Sequence, residues 1–267
     1  MRSVCEVLRV SGTVPLDRAL SKLGLATRSE ARELILDGRV SIDGRVVRDS
    51  STLIHPERAR IVIDGREQQR PETVTIALHK PRGVVTTRRD PQQRPTVYDA
   101  IRDLDAHVVP VGRLDLATSG LLLMTNDTRL ADWLTDPVNA VPRVYLVTVR
   151  GRVTDDEAAA LERGLFDAGD VRGRGEELRA ESVTIRKASN RESHLVMTLV
   201  EGKNREIRRL LAAVGHEVTR LRRVQIGGLE IGDLKPGAWR PLDASELTRA
   251  FPGAPATTRR RPRNVRD

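Results

Sequence analysis

The sequence predicts an α+β protein of two domains, a small helical one followed by a larger one whose sheet is flanked by helices. Three observations carry this reading. Two short segments near the start repeat apolar residues at helical spacing. A polar stretch around residue 70 has little to bury. Beyond it, β-branched and apolar runs of strand length alternate with capped helical segments. With 267 residues the chain can form two domains with a sizeable core.

Residues 1–12 read as a flexible arm. Leu16, Ala19, Leu20 and Leu23 then share one helical face, with Pro15 suited to the first turn and Gly24 to the stop. Thr27 and Glu30 form a capping box that opens a second helix, with Ala31, Leu34 and Ile35 inside and Gly38 at its end. Val40, Ile42, Asp43-Gly44 and Val46-Val47 read as a tight hairpin. These elements place a first domain over 13–64 and a linker over 65–74, GREQQRPETV.

The second domain is expected over 75–250. Val74 to Leu78 begins a strand that runs into Lys80-Pro81-Arg82-Gly83, and Arg88 to Pro95 reads as an exposed basic loop. Val108–Val111 and Leu121–Thr125 read as buried strands on either side of a polar turn, Gly112-Arg113-Leu114-Asp115. Asn126 or Asp127 can cap a helix carrying Leu130, Trp133 and Leu134. Arg143 to Val149 is a strand by its β-branched content, and Thr154 to Glu157 is a second capping box, opening a helix that ends at Gly164. Residues 167–179 read as loop, followed by strands near 180–187 and 194–200. Ile207, Leu210, Leu211 and Val214 then share a helix face closed by Gly215, and short strands from Val218 to Leu242 complete the sheet. Residues 251–267, with Arg259-Arg260-Arg261, read as a disordered basic tail.

Composition narrows the chemistry. Net charge is +9 and the sequence pI near 10.6, carried mostly by Arg, which suits a polyanionic partner. Arg18 with Lys22, and Arg28 with Arg32, are like-charge pairs four residues apart on the two short helices. Such pairs are unfavourable unless something anionic covers them, so these four residues are candidate RNA contacts. Cys5 is the single cysteine, which excludes an internal disulfide and a cysteine-based zinc site. No His pair has metal-ligand spacing, no glycine loop suits phosphates, and no apolar run is long enough to cross a bilayer. A cytoplasmic protein with neither metal nor cofactor, and no membrane contact, is expected.

The stretch Val108 to Asp127, VVPVGRLDLATSGLLLMTND, resembles the catalytic motif of pseudouridine synthases. Gly202 to Arg208, GKNREIR, resembles a second motif of that family, and Arg143-Val144-Tyr145 and Lys80-Pro81-Arg82-Gly83 resemble two weaker ones. The branch resembled is the RsuA/RluB type, whose members modify single sites in ribosomal RNA. Residues 13–64 resemble the S4 RNA-binding domain that precedes many such catalytic domains. The resemblance implies a catalytic sheet that is mixed but largely antiparallel. It makes Asp115 the nucleophile, Arg208 the cation that pairs with it, and Tyr145 the ring that stacks on the base and relays a proton. Arg113 would fill the space left by the flipped base or hold its phosphate, Ile207 would wall the base, and Lys80 and Lys203 would contact substrate. Two positions depart from the usual pattern: Arg143 stands where Lys is common, and Glu206 where Gln is frequent. The expected activity is isomerisation of one uridine in ribosomal RNA, that of the large subunit ahead of the small, by a monomer acting on the RNA or an assembly intermediate. A non-catalytic RNA-binding or assembly factor on the same fold is the rival. The trio Asp115, Tyr145 and Arg208 argues against it, because binding alone needs none of them.

Overall fold

The computed structural model describes residues 12–56, 58–68, 72–167 and 175–255. The expected arm falls almost wholly outside them, as does the end of the expected tail. The chain divides into two compact units, Met1–Thr73 with Ala106–Val109, and Val74–Asp105 with Pro110–Asp267.

In the first unit, helices Leu16–Lys22 and Arg28–Leu36 pack on a four-stranded sheet through Leu16, Ala19, Leu20, Ala31, Ile35, Val40 and Ile61. The Thr27 capping box forms as the sequence predicts, its hydroxyl accepting from the Glu30 N–H and Glu30 accepting from the Thr27 N–H. Asp43 and Gly44 both adopt positive φ, the condition for the two-residue hairpin turn that joins Val40–Ile42 to Arg45–Val46. Arg66–Glu67 pairs with Ile61–Ile63, so the start of the expected linker is part of this sheet. A strand ladder can form from polar residues when one neighbouring strand supplies the buried face, which composition does not reveal.

The like-charge pair Arg28–Arg32 has an internal explanation. Asp17, 3% exposed, accepts from Arg28 Nη2 at 3.0 Å and from Arg32 Nε at 2.9 Å. Burial alone would raise the Asp17 carboxyl, but hydrogen bonds from Arg28, the Arg18 N–H and Arg32 hold it below the usual carboxylate range. Asp17 is therefore an internal anion for these two arginines, whose side chains remain about half exposed, so their like charges are balanced within the domain. Arg18 is exposed and Lys22 half-buried.

The second unit is built on a nine-stranded sheet. Its main path runs Ser182–Ala188, Glu192–Leu199, Arg143–Arg150, Val218–Ile226, Ser119–Thr125, Thr75–Lys80 and Trp239–Pro241. Neighbours on this path are antiparallel except Val218–Ile226 with Ser119–Thr125, a mixed and mostly antiparallel sheet as expected. Thr75–Lys80 is buried at every residue, and Ser119–Thr125 at every residue after the first, which explains why both read as continuous apolar runs without alternation. Helices Thr128–Thr135, Asp155–Arg163, Glu206–Ala213 and Ala244–Ala250 complete the unit. Asp127 is the cap of the first, accepting from the Arg129 and Leu130 N–H groups, a device worth about 1 kcal/mol. Two expectations are corrected here. Glu176–Leu178 pairs with Leu165–Asp167, so the expected loop 167–179 contains one strand and the last residue of its partner. Phe251, assigned to the tail, is 2% exposed and packs in the same core as Leu121, Leu123, Leu247 and Ala250, because it directly follows the Ala244–Ala250 helix that delivers it there.

Gly120 decides whether the parallel pair can close. It has φ +111°, and a Cβ there would stand 2.1 Å from the Arg223 carbonyl oxygen. Backbone cannot yield as a flexible side chain can. Gly120→Ala is expected to destabilise the protein by about 3 kcal/mol or more, read as a lower urea midpoint at unchanged slope.

Candidate active site

A cleft of about 380 Å³ opens in the second unit between the Gly112–Asp115 turn, the Arg143–Arg150 and Val218–Ile226 strands, and the segment Glu201–Arg208. That volume is in the range of pockets that take one small ligand. Its walls include Arg113, Asp115, Tyr145, Lys203, Ile207 and Arg208, which brings together six of the seven residues the sequence proposed for catalysis or substrate contact.

The turn that carries Asp115 is wired from behind. Gly112, at φ +70°, lets the chain reverse after the short Val109–Pro110 strand. Leu114 is buried, and its carbonyl accepts from Thr86 Oγ1 at 2.8 Å. The Gly83 N–H donates to the Leu116 carbonyl at 2.8 Å, and the Thr118 N–H to the Asp115 carbonyl at 3.0 Å. Lys80 completes the brace. Its Nζ donates to the carbonyls of Pro81 at 3.0 Å, Asp115 at 3.1 Å and Thr118 at 2.8 Å, one for each ammonium proton. Lys80 is fully buried and does not line the cleft, which corrects its reading as a substrate contact. It is a positioning residue for Asp115. Burial pushes its ammonium down to about 8, while the Asp115 charge pulls the other way.

Arg208 lies in the cleft wall, yet no ion pair joins it to Asp115 among the described residues. Its Nη1 instead donates to the Val218 carbonyl at 3.0 Å, and that bond fixes the guanidinium in place. Burial and Arg205 lower its pKa and Asp115 opposes them, so the two groups interact through the cleft rather than by contact. Arg82 adds to this cationic setting. Tyr145 is 9% exposed on the strand beside Arg223, and Ile207 is 3% exposed at the first turn of the Glu206–Ala213 helix. Arg113 is exposed at the mouth. Lys203 lines the cleft, but its ammonium is already engaged by Glu201 and by the Glu177 carbonyl at 2.7 Å, so a substrate would have to compete for it.

Two residues acquire a place here that their sequence positions alone did not announce. Arg143 donates to the carbonyls of Leu134, Val141, Val200 and Glu201, clamping two loops at the cleft edge. Arg223 is 4% exposed in the wall, on the Val218–Ile226 strand. Strand alternation from the buried Leu221 places it on the inner face, a signal that the sequence carries and that its charge obscures. Among the described residues no group of three or more His, Cys, Asp or Glu side chains could hold a metal ion, and no helix is long and apolar enough to cross a membrane.

Residues 74–213 match the RNA pseudouridylate synthase family, just over half of the chain. This chain belongs to that family. Residues 14–58 match the S4 domain. The pseudouridine synthase is 36% identical over 240 residues to an RNA pseudouridine synthase of Aquifex aeolicus, covering 89% of this chain and 94% of that protein. It is 33% identical over 234 residues to the ribosomal large subunit pseudouridine synthase B of Bacillus subtilis, covering 88% of this chain and 94% of the relative. The protein of that name from Shigella flexneri is 37% identical over 240 residues, with coverage of 86% and 80%. A crystal structure of a pseudouridylate synthase superposes with a TM-score of 0.60 at 27% identity, covering 89% of this chain and 99% of the other.

Proposed function

We propose that this pseudouridine synthase isomerises one specific uridine of ribosomal RNA, that of the large subunit, acting as a monomer with Asp115 as its nucleophile. The observation that carries the reading is one cleft holding Asp115, Tyr145, Arg113, Ile207 and Arg208. The large-subunit assignment is supported by the relatives named as large-subunit enzymes.

The chemistry asks little beyond these groups. The N1–C1′ bond breaks, the base turns over, C5 joins C1′, the C5 proton leaves and N1 gains one, so the reaction balances without a co-reactant. Asp115, held by its braced turn, supplies the carboxylate that attacks the nucleoside, and the bond it forms breaks again as C5 joins C1′. Tyr145 stacks on the extruded base, an interaction worth about 1–3 kcal/mol, and its hydroxyl relays the C5 proton. Arg113 takes up the space or the phosphate left by extrusion, which costs a few kcal/mol, roughly. Arg208 adds positive charge to the wall of the cleft that holds Asp115. Mapping pseudouridines in ribosomal RNA from cells lacking the gene tests this directly: one large-subunit site should revert to uridine. Loss of a small-subunit site, or of none, would reject the assignment.

The S4 domain contributes affinity in the same reading. Arg18→Gln together with Lys22→Gln should weaken binding and reduce the slope of log K against log salt by about 1 to 2, near 0.9 for each duplex phosphate that is no longer neutralised. Filter binding across a salt series measures this, and an unchanged slope means the face is merely solvated.

A further inference from the structure

Three buried polar atoms on residues of the cleft wall lack a hydrogen-bond partner: Oγ1 of Thr118, beside the Asp115 turn, Oε1 of Glu206 and Nη2 of Arg223. Glu206 and Arg223 are each 4% exposed, and Thr118 2%. Glu206 and Arg223 are each anchored through another polar atom: Glu206 Oε2 accepts from the Lys203 N–H at 3.2 Å, and Arg223 Nε donates to the Leu121 carbonyl at 2.7 Å. No ion pair within 4.0 Å joins them to each other among the described residues. Buried polar atoms are rarely left unmatched, and one left so beside a cleft calls for a functional explanation. Glu206 and Arg223 together leave one acceptor and one donor, in the wall that also presents Tyr145 and Ile207.

Uracil offers the complement. Its Watson–Crick edge reads carbonyl, N3–H, carbonyl, so a donor lies beside an acceptor whichever side is approached. Cytosine presents an unprotonated N3 at the same place, whose lone pair would face a carboxylate oxygen. We propose that Glu206 and Arg223 read the edge of the extruded uracil, Glu206 Oε1 accepting from N3–H and Arg223 Nη2 donating to the neighbouring carbonyl. This rests on the pseudouridine synthase reading of the cleft.

The reaction gives the arrangement a second use. Exchanging N1 for C5 is a half-turn of the ring about the line through N3 and C6. That rotation leaves N3–H in place and swaps O2 with O4. Glu206 therefore keeps the same hydrogen bond before and after the turn, and Arg223 meets a carbonyl oxygen in both states. The pair holds a pivot and excludes water without opposing the rearrangement.

Glu206 also sets a pH dependence. Burial pushes its carboxyl up to about 7; the Lys203 N–H and ammonium lower it, Glu201 and Glu176 raise it, and Arg143 faces it from the neighbouring strand. Only the ionised form leaves Oε1 as a pure acceptor, so kcat/KM should rise with pH through about 7. Glu206→Gln, nearly isosteric and not titrating there, should be flat across that range.

The decisive experiment compares RNA fragments that differ only at the target, uridine against N3-methyluridine. Wild-type enzyme should reject the methylated base by at least about 100-fold in kcat/KM, as sites built around a hydrogen bond do. Glu206→Ala removes the acceptor and opens room for the methyl group, so the ratio should fall at least about tenfold towards unity. Arg223→Lys should lower kcat/KM on both RNAs alike. If Glu206→Ala does not fold, the pH profile of Glu206→Gln against wild type carries the test. An active wild type whose methyl discrimination survives in Glu206→Ala, or whose pH profile is shared by Glu206→Gln, overturns the edge reading alone. A wild type that forms no pseudouridine in any ribosomal RNA overturns the underlying function.

Discussion

Asp115→Asn should abolish pseudouridine formation, lowering kcat by at least about 10³-fold, or about 4 kcal/mol at the transition state, while RNA affinity stays within a few-fold. The amide keeps the size of the side chain and the turn behind it, because the bonds that hold the turn run through the Asp115 and Leu114 backbone, not through the carboxylate. What it loses is the charge and the oxygen proposed to act as nucleophile. Binding rests on the Arg-rich surfaces and should persist. Tritium release from C5-labelled RNA, run beside filter binding, separates the two quantities. Substantial turnover by the purified variant would remove Asp115 from the mechanism.

Lys80→Met should be nearly as damaging, by a different route. The substitution strips a donor from each of three carbonyls, two of them in the turn that aims Asp115. Bonds to a charged group are worth about 1.5–3 kcal/mol each, offset in part by removing an ammonium that burial disfavours, so a net loss of about 2–4 kcal/mol is expected. A turn displaced by even about 1 Å can cost 10²-fold in rate. Because Lys80 does not line the cleft, kcat should fall about 10²-fold while KM changes little. The pH dependence of stability supplies a separate check. Lys80 has a folded pKa of about 8 against an ordinary 10.5. Between those values the unfolded chain binds more protons than the folded one, so wild-type stability gains a contribution as pH rises through that window. Lys80→Met should lack that contribution. Urea melts at pH 7 and pH 10 read the difference, and a variant with wild-type kcat and the same pH response would show that the three bonds position nothing.

Much of the fold was legible because its signals are local. The two capping boxes, the Asp43-Gly44 turn and the apolar face of the Glu206–Ala213 helix each depend on residues within one or two turns of one another, and all form as read. The cleft residues Asp115, Tyr145, Ile207 and Arg208 were likewise found from sequence, through motifs whose spacing belongs to a known family. The roles of the charged residues were not legible in the same way. Lys80 and Lys203 read alike as substrate contacts, yet one braces a turn through Thr118, 38 residues on, and the other is engaged at the cleft edge. Arg28 and Arg32 read as an unbalanced pair until Asp17 closed over them from another helix. Glu206 and Arg223 meet in one wall only because separate elements converge there, and Gly120 is required because the Arg223 backbone crosses it.

The division has a physical cause. Helix and strand periods express which face is buried, and the hydrophobic effect that drives this is non-directional, so a sequence pattern suffices to predict it. Hydrogen bonds and ion pairs depend on distance and angle, and their partners here lie tens of residues apart. By itself the sequence determined much of the element order, the faces that make the core, and a carboxylate set in a turn ahead of a buried strand. Only the tertiary structure decided which cation braces that turn from behind, which are paired with internal anions, and which polar atoms of the cleft-wall residues are left without a partner.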